Sequence, residues 1–203
     1  MTSGPVSDPI EQEWVARAQN GDVMAFNAIV ERYQKIAYNL ALRMLRDPSA
    51  AEDATQDAFF AAYRNIRRFR GGSLRSWLLT ILANGARDTL RSPSRRRNTS
   101  LDAYIEAGDS GGPWEHPSTT PEEATLQGET SRQVREALAQ LPEDQRLVIS
   151  LVDLQQMDYE ETARITGMNL GTVKSRLFRG RKRLKELLRP VWELSEEAPR
   201  QNA

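Results

Sequence analysis

Between Asp158 and Leu188 the chain reads DYEETARITGMNLGTVKSRLFRGRKRLKELL, a run whose apolar spacing and punctuation permit little except two short helices joined by a tight turn. Asp158 can accept a backbone N–H at the start of the first helix, and Glu161 stands three residues later, where an acid completes a capping box. Tyr159, Ala163 and Ile165 fall along the inner side. Gly167 supplies the permissive backbone that ends the helix. Asn169 can cap the second helix, along which Val173, Leu177, Leu184, Leu187 and Leu188 recur as an apolar stripe. That stripe is expected to bury against the first helix.

The remaining face of the second helix carries Thr172, Lys174, Ser175, Arg176, Arg179, Arg181, Lys182 and Arg183, a mixture suited to a groove lined by phosphates. Thr172, Lys174, Ser175 and Arg176 lie in the first turns, where side chains reach base edges, whereas the cations from Arg179 onward would mostly meet backbone oxygens. A solvated basic face would have the same composition. The capped helix and turn in front of it favour a DNA-reading pair.

Across 203 residues, 28 Lys and Arg balance 28 Asp and Glu, yet the charges are sorted into blocks. Arg87, Arg91, Arg95, Arg96 and Arg97 form one basic group and the second helix another. Between them Asp102, Glu106, Asp109, Glu115, Glu122, Glu123, Glu129, Glu136, Glu143 and Asp144 far outnumber Arg132 and Arg135. The stretch 98–122 has no sustained periodicity and is rich in Ser, Gly, Pro and Thr, so it reads as a flexible acidic linker. Such a tether could repel DNA, fold onto a basic channel in a partner, or serve solubility alone. Within it, Tyr104 and Trp114 could anchor a partner or pack on the chain's own domains.

With no Cys and one His, the chain offers neither a disulfide framework nor a thiolate zinc site, and His116 reads as a solvated loop residue. No metal and no cofactor are implied. GxxxxGK, GxGxxG, HExxH and GxSxG patterns are all missing, so the expectation is a protein that is not an enzyme. The N-terminus lacks a basic stretch followed by an apolar run, and no apolar segment approaches membrane-spanning length. These features predict a cytoplasmic protein without membrane insertion.

The N-terminal part reads as helical throughout. A helix from about Pro9 to Ala18 is followed, after Gly21, by Phe26, Ile29, Val30, Tyr33, Ile36, Leu40 and Met44 at the spacing of one buried face. Asp47 and Pro48 interrupt the pattern, and a third helix places Ala54, Ala58, Phe59, Ala62, Tyr63 and Ile66 inward. Asp53, Gln56 and Asp57 occupy its polar side, as a solvated face or as a dock for a helical partner. After Phe69 comes a basic Arg-Gly-Gly-Ser turn, then a fourth helix through Leu74, Trp77, Leu78, Ile81 and Leu82, with Trp77 read as core. Arg67, Arg68 and Arg70 beside two glycines allow close approach of an anionic strand, continuous with the arginines further on.

The segments AEDATQDAFFAAYRNIRRFRGGSLRSWLLTILANGARDTLRSPSRR and LPEDQRLVISLVDLQQMDYEETARITGMNLGTVKSRLFRGRKRLKELL together resemble the RNA polymerase sigma-70 family, extracytoplasmic-function subfamily. GMN followed by GTVKSRL is the most specific string. The resemblance implies an all-α fold of two helical domains. Region 2 would span 9–97, binding core polymerase and recognising and melting the minus-ten element; the flexible linker 98–122 follows, and region 4, a helix-turn-helix reading the minus-thirty-five element, would span 123–190. It implies that Asp53, Gln56 and Asp57 dock on the beta-prime clamp of core RNA polymerase, that region 4 meets the beta flap, and that an anti-sigma protein masks these faces. It places Arg67, Arg68, Arg70, Ser73, Trp77, Asn84, Asp88, Arg91, Arg95 and Arg96 at minus-ten promoter DNA. Thr172, Lys174, Ser175, Arg176, Arg179 and Arg183 fall at the minus-thirty-five element, and the linker in the polymerase channels.

Some positions depart from the family pattern. Leu74 and Ser76 stand where phenylalanine and threonine are common, and Ala83 where an arginine usually precedes the asparagine, here Asn84; the last bears on how firmly that helix holds DNA. Asn169 replaces the usual serine cap. Gly180 replaces a common alanine, which costs about 1 kcal/mol of helix propensity if the position is exposed. The short tail after Pro190 argues against an additional C-terminal sensing module. A helix-turn-helix regulator acting without joining polymerase would use the C-terminal part in the same way, leaving the Arg-Gly-Gly-Ser turn and the Asp53 face without a role.

Overall fold

Helix starts in this chain are written by short acids. The computed structural model describes residues 8–91 and 132–196, the latter with side chains to residue 189. Asp8 accepts the Ile10 N–H at 3.0 Å and opens α1 (Pro9–Gln19) with a proline in its first turn. Asp22 accepts from Met24 and Ala25 at 2.9 and 3.1 Å and opens α2 (Val23–Leu45). Asp47 accepts from Ala50 at 2.9 Å and opens α3 (Pro48–Asn65). A 3₁₀ turn, Ile66–Arg68, and the Gly71–Gly72 pair lead into α4 (Leu74–Arg91), whose Ser76 N–H is taken by the Ser73 hydroxyl at 3.1 Å. Each cap satisfies amides that a helix end leaves without an internal partner.

The C-terminal half comprises α5, described over 132–139, α6 (Glu143–Ile149) continuing into a π turn at Ser150–Leu154, α7 (Tyr159–Thr166) and the long α8 (Leu170–Glu196). The fold is all-α, as the hydrophobic periodicity predicts. Among the described residues, no helix is long and apolar enough to cross a membrane, and no group of three or more His, Cys, Asp or Glu could hold a metal ion.

Two apolar clusters organise the chain. The first gathers Ile29, Tyr38, Leu40, Leu78, Leu79 and Leu82, with Ala51, Ala54, Ala58 and Ala62 giving α3 a flat face that lets α2 approach. The second joins Leu138, Leu141, Val148 and Ile149 to Val173 and Leu177 of α8. Leu147, Leu151, Met157 and Ile165 of the C-terminal half nonetheless belong to the first cluster. The two halves therefore share an apolar boundary, along which α4 lies on α7.

Four expectations need correction. Glu161 does not close the capping box: Asp158 takes its N–H at 2.6 Å, but the Glu161 carboxylate turns away to α4. Ile165 faces the N-terminal cluster rather than the second helix of the pair. Tyr63 is a rim residue, 40% exposed with its ring edge-on to Phe26 at 5.0 Å. Gly180 is buried, and a Cβ there would lie 2.7 Å from Ile149 Cδ1. Its lack of a side chain is what lets α8 sit close on α6.

Candidate nucleic-acid and protein interfaces

The basic helix α8 begins as its sequence requires. Asn169 Oδ1 accepts the Thr172 N–H at 2.8 Å, and Gly167, at φ 68, reverses the chain out of α7. Val173 and Leu177 point into the core, which fixes the rotation of the helix and turns Lys174, Arg179, Lys182 and Arg183 outward. Thr172 and Ser175 lie half-buried, the Ser175 hydroxyl donating to the Thr172 carbonyl at 3.1 Å. Lys174 rests 5.8 Å above the Tyr159 ring. Arg176 pairs with Asp144 at 2.5 Å and reaches Met168 Sδ, and Arg181 makes a two-pronged contact with Asp153 at 3.0 and 2.5 Å. That hydrogen bond to Asp153 lifts the Arg181 guanidinium above its ordinary value.

Sequence reasoning passed over Phe178. It interrupts the basic face, is 71% exposed, and sits beside Arg179. An apolar ring off the buried stripe was the available signal, since a thymine methyl is a natural partner for such a ring in a major groove.

The Arg-Gly-Gly-Ser turn forms one wall of a cleft of about 410 Å³ whose other wall is α1, with Glu11, Gln12 and Gln19 opposite Arg70, Gly71 and Gly72. Gly71 and Gly72 take φ +95 and +91, a region that side chains beyond glycine strain to adopt. Arg67, Arg68 and Arg70 are exposed, with Arg67 Nε also donating to the Gln19 carbonyl at 3.2 Å. Trp77 is partly buried, its ring tilted against Phe69 at 5.3 Å, in keeping with a core-facing role.

On α4, Asn84, Asp88 and Arg91 are exposed, and Asp88 and Arg91 pair at 3.7 Å. Arg87 donates to Asn84 and, across the boundary, to the Ile165 carbonyl at 3.2 Å; burial pulls its guanidinium below the ordinary value. Ala83 is fully buried, so in this arrangement the departure from arginine is a packing matter. Arg95 and Arg96 lie outside the described residues, as do the linker 98–122, Tyr104, Trp114 and His116.

Asp53, Gln56 and Asp57 are exposed along α3, as their polar spacing predicts. Gln56 also borders an apolar groove of about 570 Å³ between α2 and α3, lined by Val23, Phe26, Val30, Phe60 and Tyr63. Phe60, 54% exposed, was not singled out from sequence because it adjoins the buried Phe59.

The structure brings the two predicted DNA faces together. Ser76 Oγ lies 2.5 Å from Glu161 Oε1, both residues buried, and 2.9 Å from Ser73 Oγ. A hydroxyl has one proton, so Ser76 donates to the carboxylate and accepts from Ser73. Arg75 donates to the Gln155 carbonyl at 2.7 Å and to its side-chain oxygen at 2.5 Å. Asn84, Asp88 and Arg91 thus line the same cleft, about 720 Å³, as Asp144 and Arg176.

Comparison with known proteins finds one family model in each half of the chain. The family model for sigma-70 region 2 matches residues 29–97, and that for sigma-70 region 4 matches residues 131–184. The chain is 38% identical over 185 residues to the ECF RNA polymerase sigma-E factor of Escherichia coli strain K12, covering 89% of this chain and 95% of the relative. It is 35% identical over 186 residues to the RNA polymerase sigma-H factor of Pseudomonas aeruginosa, again covering 89% and 95%. Among solved structures, the sigma factor RpoE of Bartonella quintana, in complex with the anti-sigma factor NepR, is similar with a TM-score of 0.63 and 30% identity over 81% of this chain and 96% of that one.

Proposed function

Because the chain belongs to the extracytoplasmic-function branch of the sigma-70 family, we propose that it binds core RNA polymerase in the cytoplasm, carries it to promoters and opens them there. Members of this family bind polymerase and DNA and are not themselves enzymes. In this reading α3, through Asp53, Gln56, Asp57 and the adjoining groove, docks on the beta-prime clamp, and the C-terminal half meets the beta flap. The start of α8 reads the minus-thirty-five duplex: Thr172, Lys174, Ser175 and Arg176 reach base edges, while Phe178, Arg179 and Arg183 meet methyls and phosphates. The Arg-Gly-Gly-Ser turn with α4 takes the minus-ten strand, with Ser73 at the turn and Asn84, Asp88 and Arg91 further along.

The observation that carries this reading is the presence, on one chain, of a capped basic reading helix and a separate glycine-hinged arginine turn. A free-standing duplex-binding regulator needs only the first. The closed arrangement adds a constraint. Elements centred about 25 base pairs apart lie about 85 Å apart along B-form DNA, whereas Ser76 and Glu161 touch at 2.5 Å. The halves must therefore part before both elements are read. The 40 residues from 92 to 131 can reach about 130 Å when extended, enough to span the gap. The closed form is then the resting state, and an anti-sigma protein that stabilises it would keep the halves from parting and so from reading both elements at once. The likeness to the NepR-bound RpoE supports such a partner.

The test is transcription by core polymerase on a pool of upstream fragments, with and without the chain. Discrete new transcripts, lost when Asp53, Gln56 and Asp57 are replaced together by alanine, establish the reading. Stable duplex binding with neither transcripts nor core binding would instead mark a regulator that acts alone.

A further inference from the structure

Gly71 and Gly72 carry no side chain that could anchor the turn they form, and glycine loses more backbone freedom on ordering than other residues. A turn that must present Arg70 and Ser73 to single-stranded DNA needs to be held from outside. At its far end Ser73 is fixed by its cap on α4. At its near end the carbonyl of Ile66, which also accepts the Phe69 N–H at 3.0 Å, and the carbonyl of Phe69 lie within reach of α1.

Gln19, the last residue of α1, meets them. Its side-chain Nε2 donates to the Ile66 carbonyl at 3.0 Å and to the Phe69 carbonyl at 2.9 Å, using both amide protons across 47 and 50 residues of chain. Arg67 returns the contact through the Gln19 backbone carbonyl at 3.2 Å. The Gln19 side chain also lines the cleft opposite Arg70, Gly71 and Gly72.

From this geometry, and resting on the minus-ten reading above, we infer that Gln19 is a positioning residue for promoter opening. Its amide braces the Arg-Gly-Gly-Ser turn against α1, so that the turn is ordered before the strand arrives. The brace adds no contact to DNA. It removes conformational freedom that binding would otherwise have to remove.

The experiment uses the full chain assembled with core polymerase. Two pools are selected: fork DNAs randomised over the single-stranded non-template segment, and duplexes randomised over the upstream element. Wild type is compared with Gln19→Met, which keeps bulk but loses both donors, and with Gln19→Lys, whose ammonium can again donate to two carbonyls. Loss of two partly buried hydrogen bonds lowers the ratio of ordered to disordered turn roughly tenfold. Because only the preferred base engages the ordered turn while other bases are held by backbone contacts alone, Gln19→Met should lose up to about that factor in single-strand base preference. Gln19→Lys should regain it. The added charge strengthens binding to every strand alike and leaves a preference ratio unmoved. Selection of the upstream duplex should be the same in all three.

Unchanged single-strand preference in Gln19→Met would overturn the inference. So would a parallel loss of both selections, which marks general destabilisation, or failure of Gln19→Lys to restore the preference. If wild type itself selects nothing in the single-stranded segment, the minus-ten reading fails and the role of Gln19 falls with it.

Discussion

Replacing Ser76 by alanine should open the molecule without unfolding either half. Ser76 and Glu161 are 9% and 8% exposed, and the Ser76 hydroxyl is the donor that crosses from α4 to the Glu161 carboxylate at 2.5 Å. A hydrogen bond to a charged group contributes about 1.5–3 kcal/mol, and the same acceptor left buried without its donor is penalised by a similar amount. In the open form Glu161 is solvated, so this loss falls on closure and not on folding. Taking about 2 kcal/mol, the ratio of open to closed rises roughly 30-fold, and a chain open about 1% of the time becomes open roughly a quarter of the time.

The chain contains no cysteine, so Arg64→Cys on α3 and Lys185→Cys on α8, both at exposed positions, accept a donor and an acceptor dye without competing sites. Single-molecule energy transfer should show one compact population in the parent and a second, extended one in Ser76→Ala. Ser76→Thr keeps the hydroxyl and should stay closed. If Ser76→Ala and its parent give the same distance distribution, closure does not rest on this contact and the magnitude assigned to it is wrong.

Gly180→Ala gains about 1 kcal/mol of helix propensity but drives a Cβ to 2.7 Å from Ile149 Cδ1, and overpacking costs about 1–3 kcal/mol; it should be neutral to destabilising in chemical denaturation. In an Ile149→Val background, which lacks that methyl, the same change should be favourable, a coupling of about 1–2 kcal/mol. Asp22 is held below the ordinary carboxyl value first by its hydrogen bond from Arg17 and then by the Ala25 amide. Its stabilisation is therefore complete above the unfolded value of 3.8 and is lost as pH falls through the lower folded one; Asp22→Asn, which can still cap α2, should make acid unfolding less steep in a circular-dichroism titration. Replacing Arg179 by alanine should weaken binding to every duplex alike and reduce the salt slope of holoenzyme binding by about 1.

How much of this was legible depended on whether the information was local. Asp158 and Asn169 were readable as helix starts because a cap is a contact over two or three residues, and both accept as expected; Asp8, Asp22 and Asp47 cap α1 to α3 in the same way but were not read as caps. The basic face of α8 was readable because Val173 and Leu177 fix its rotation. The helix α6 and the π turn that follows it were not. From Leu147 to Leu151 five consecutive residues are buried, and a segment enclosed on all sides shows no stripe. The turning of Glu161 toward Ser76, 85 residues away, was equally hidden: the capping-box spacing explained Glu161 locally, while a partner on another helix took its carboxylate. Gly180 misled for the same reason, since propensity describes an exposed helix and says nothing of the neighbour that a side chain would strike.

The contacts that restrain the two proposed DNA faces are unequal, one lying within the C-terminal half and the others across the boundary, and under the proposed function this inequality sets which face the closed protein offers. Arg176 is paired to Asp144, but their side chains are 31% and 53% exposed, and an ion pair of that kind contributes about 0–1 kcal/mol. Phosphate or a guanine edge can replace Asp144 at little cost, and Lys174, Arg179, Lys182 and Arg183 already face solvent. The helix α4, proposed to read the minus-ten strand, differs: Arg75 and Ser76 are engaged beneath the C-terminal half, Arg87 reaches across to Ile165, and Ala83 is enclosed. Asn84, Asp88 and Arg91 are exposed, but they line a cleft of about 720 Å³ closed on its other side by Asp144 and Arg176. Laying a strand along them therefore requires the halves to part, whereas reading with α8 requires displacing one exposed carboxylate. The free chain should accordingly bind minus-thirty-five duplex weakly and salt-sensitively while showing no preference for minus-ten single strands until polymerase has drawn the halves apart. Equal binding of both elements by the free chain, measured by anisotropy at one stated salt concentration, would contradict this ordering.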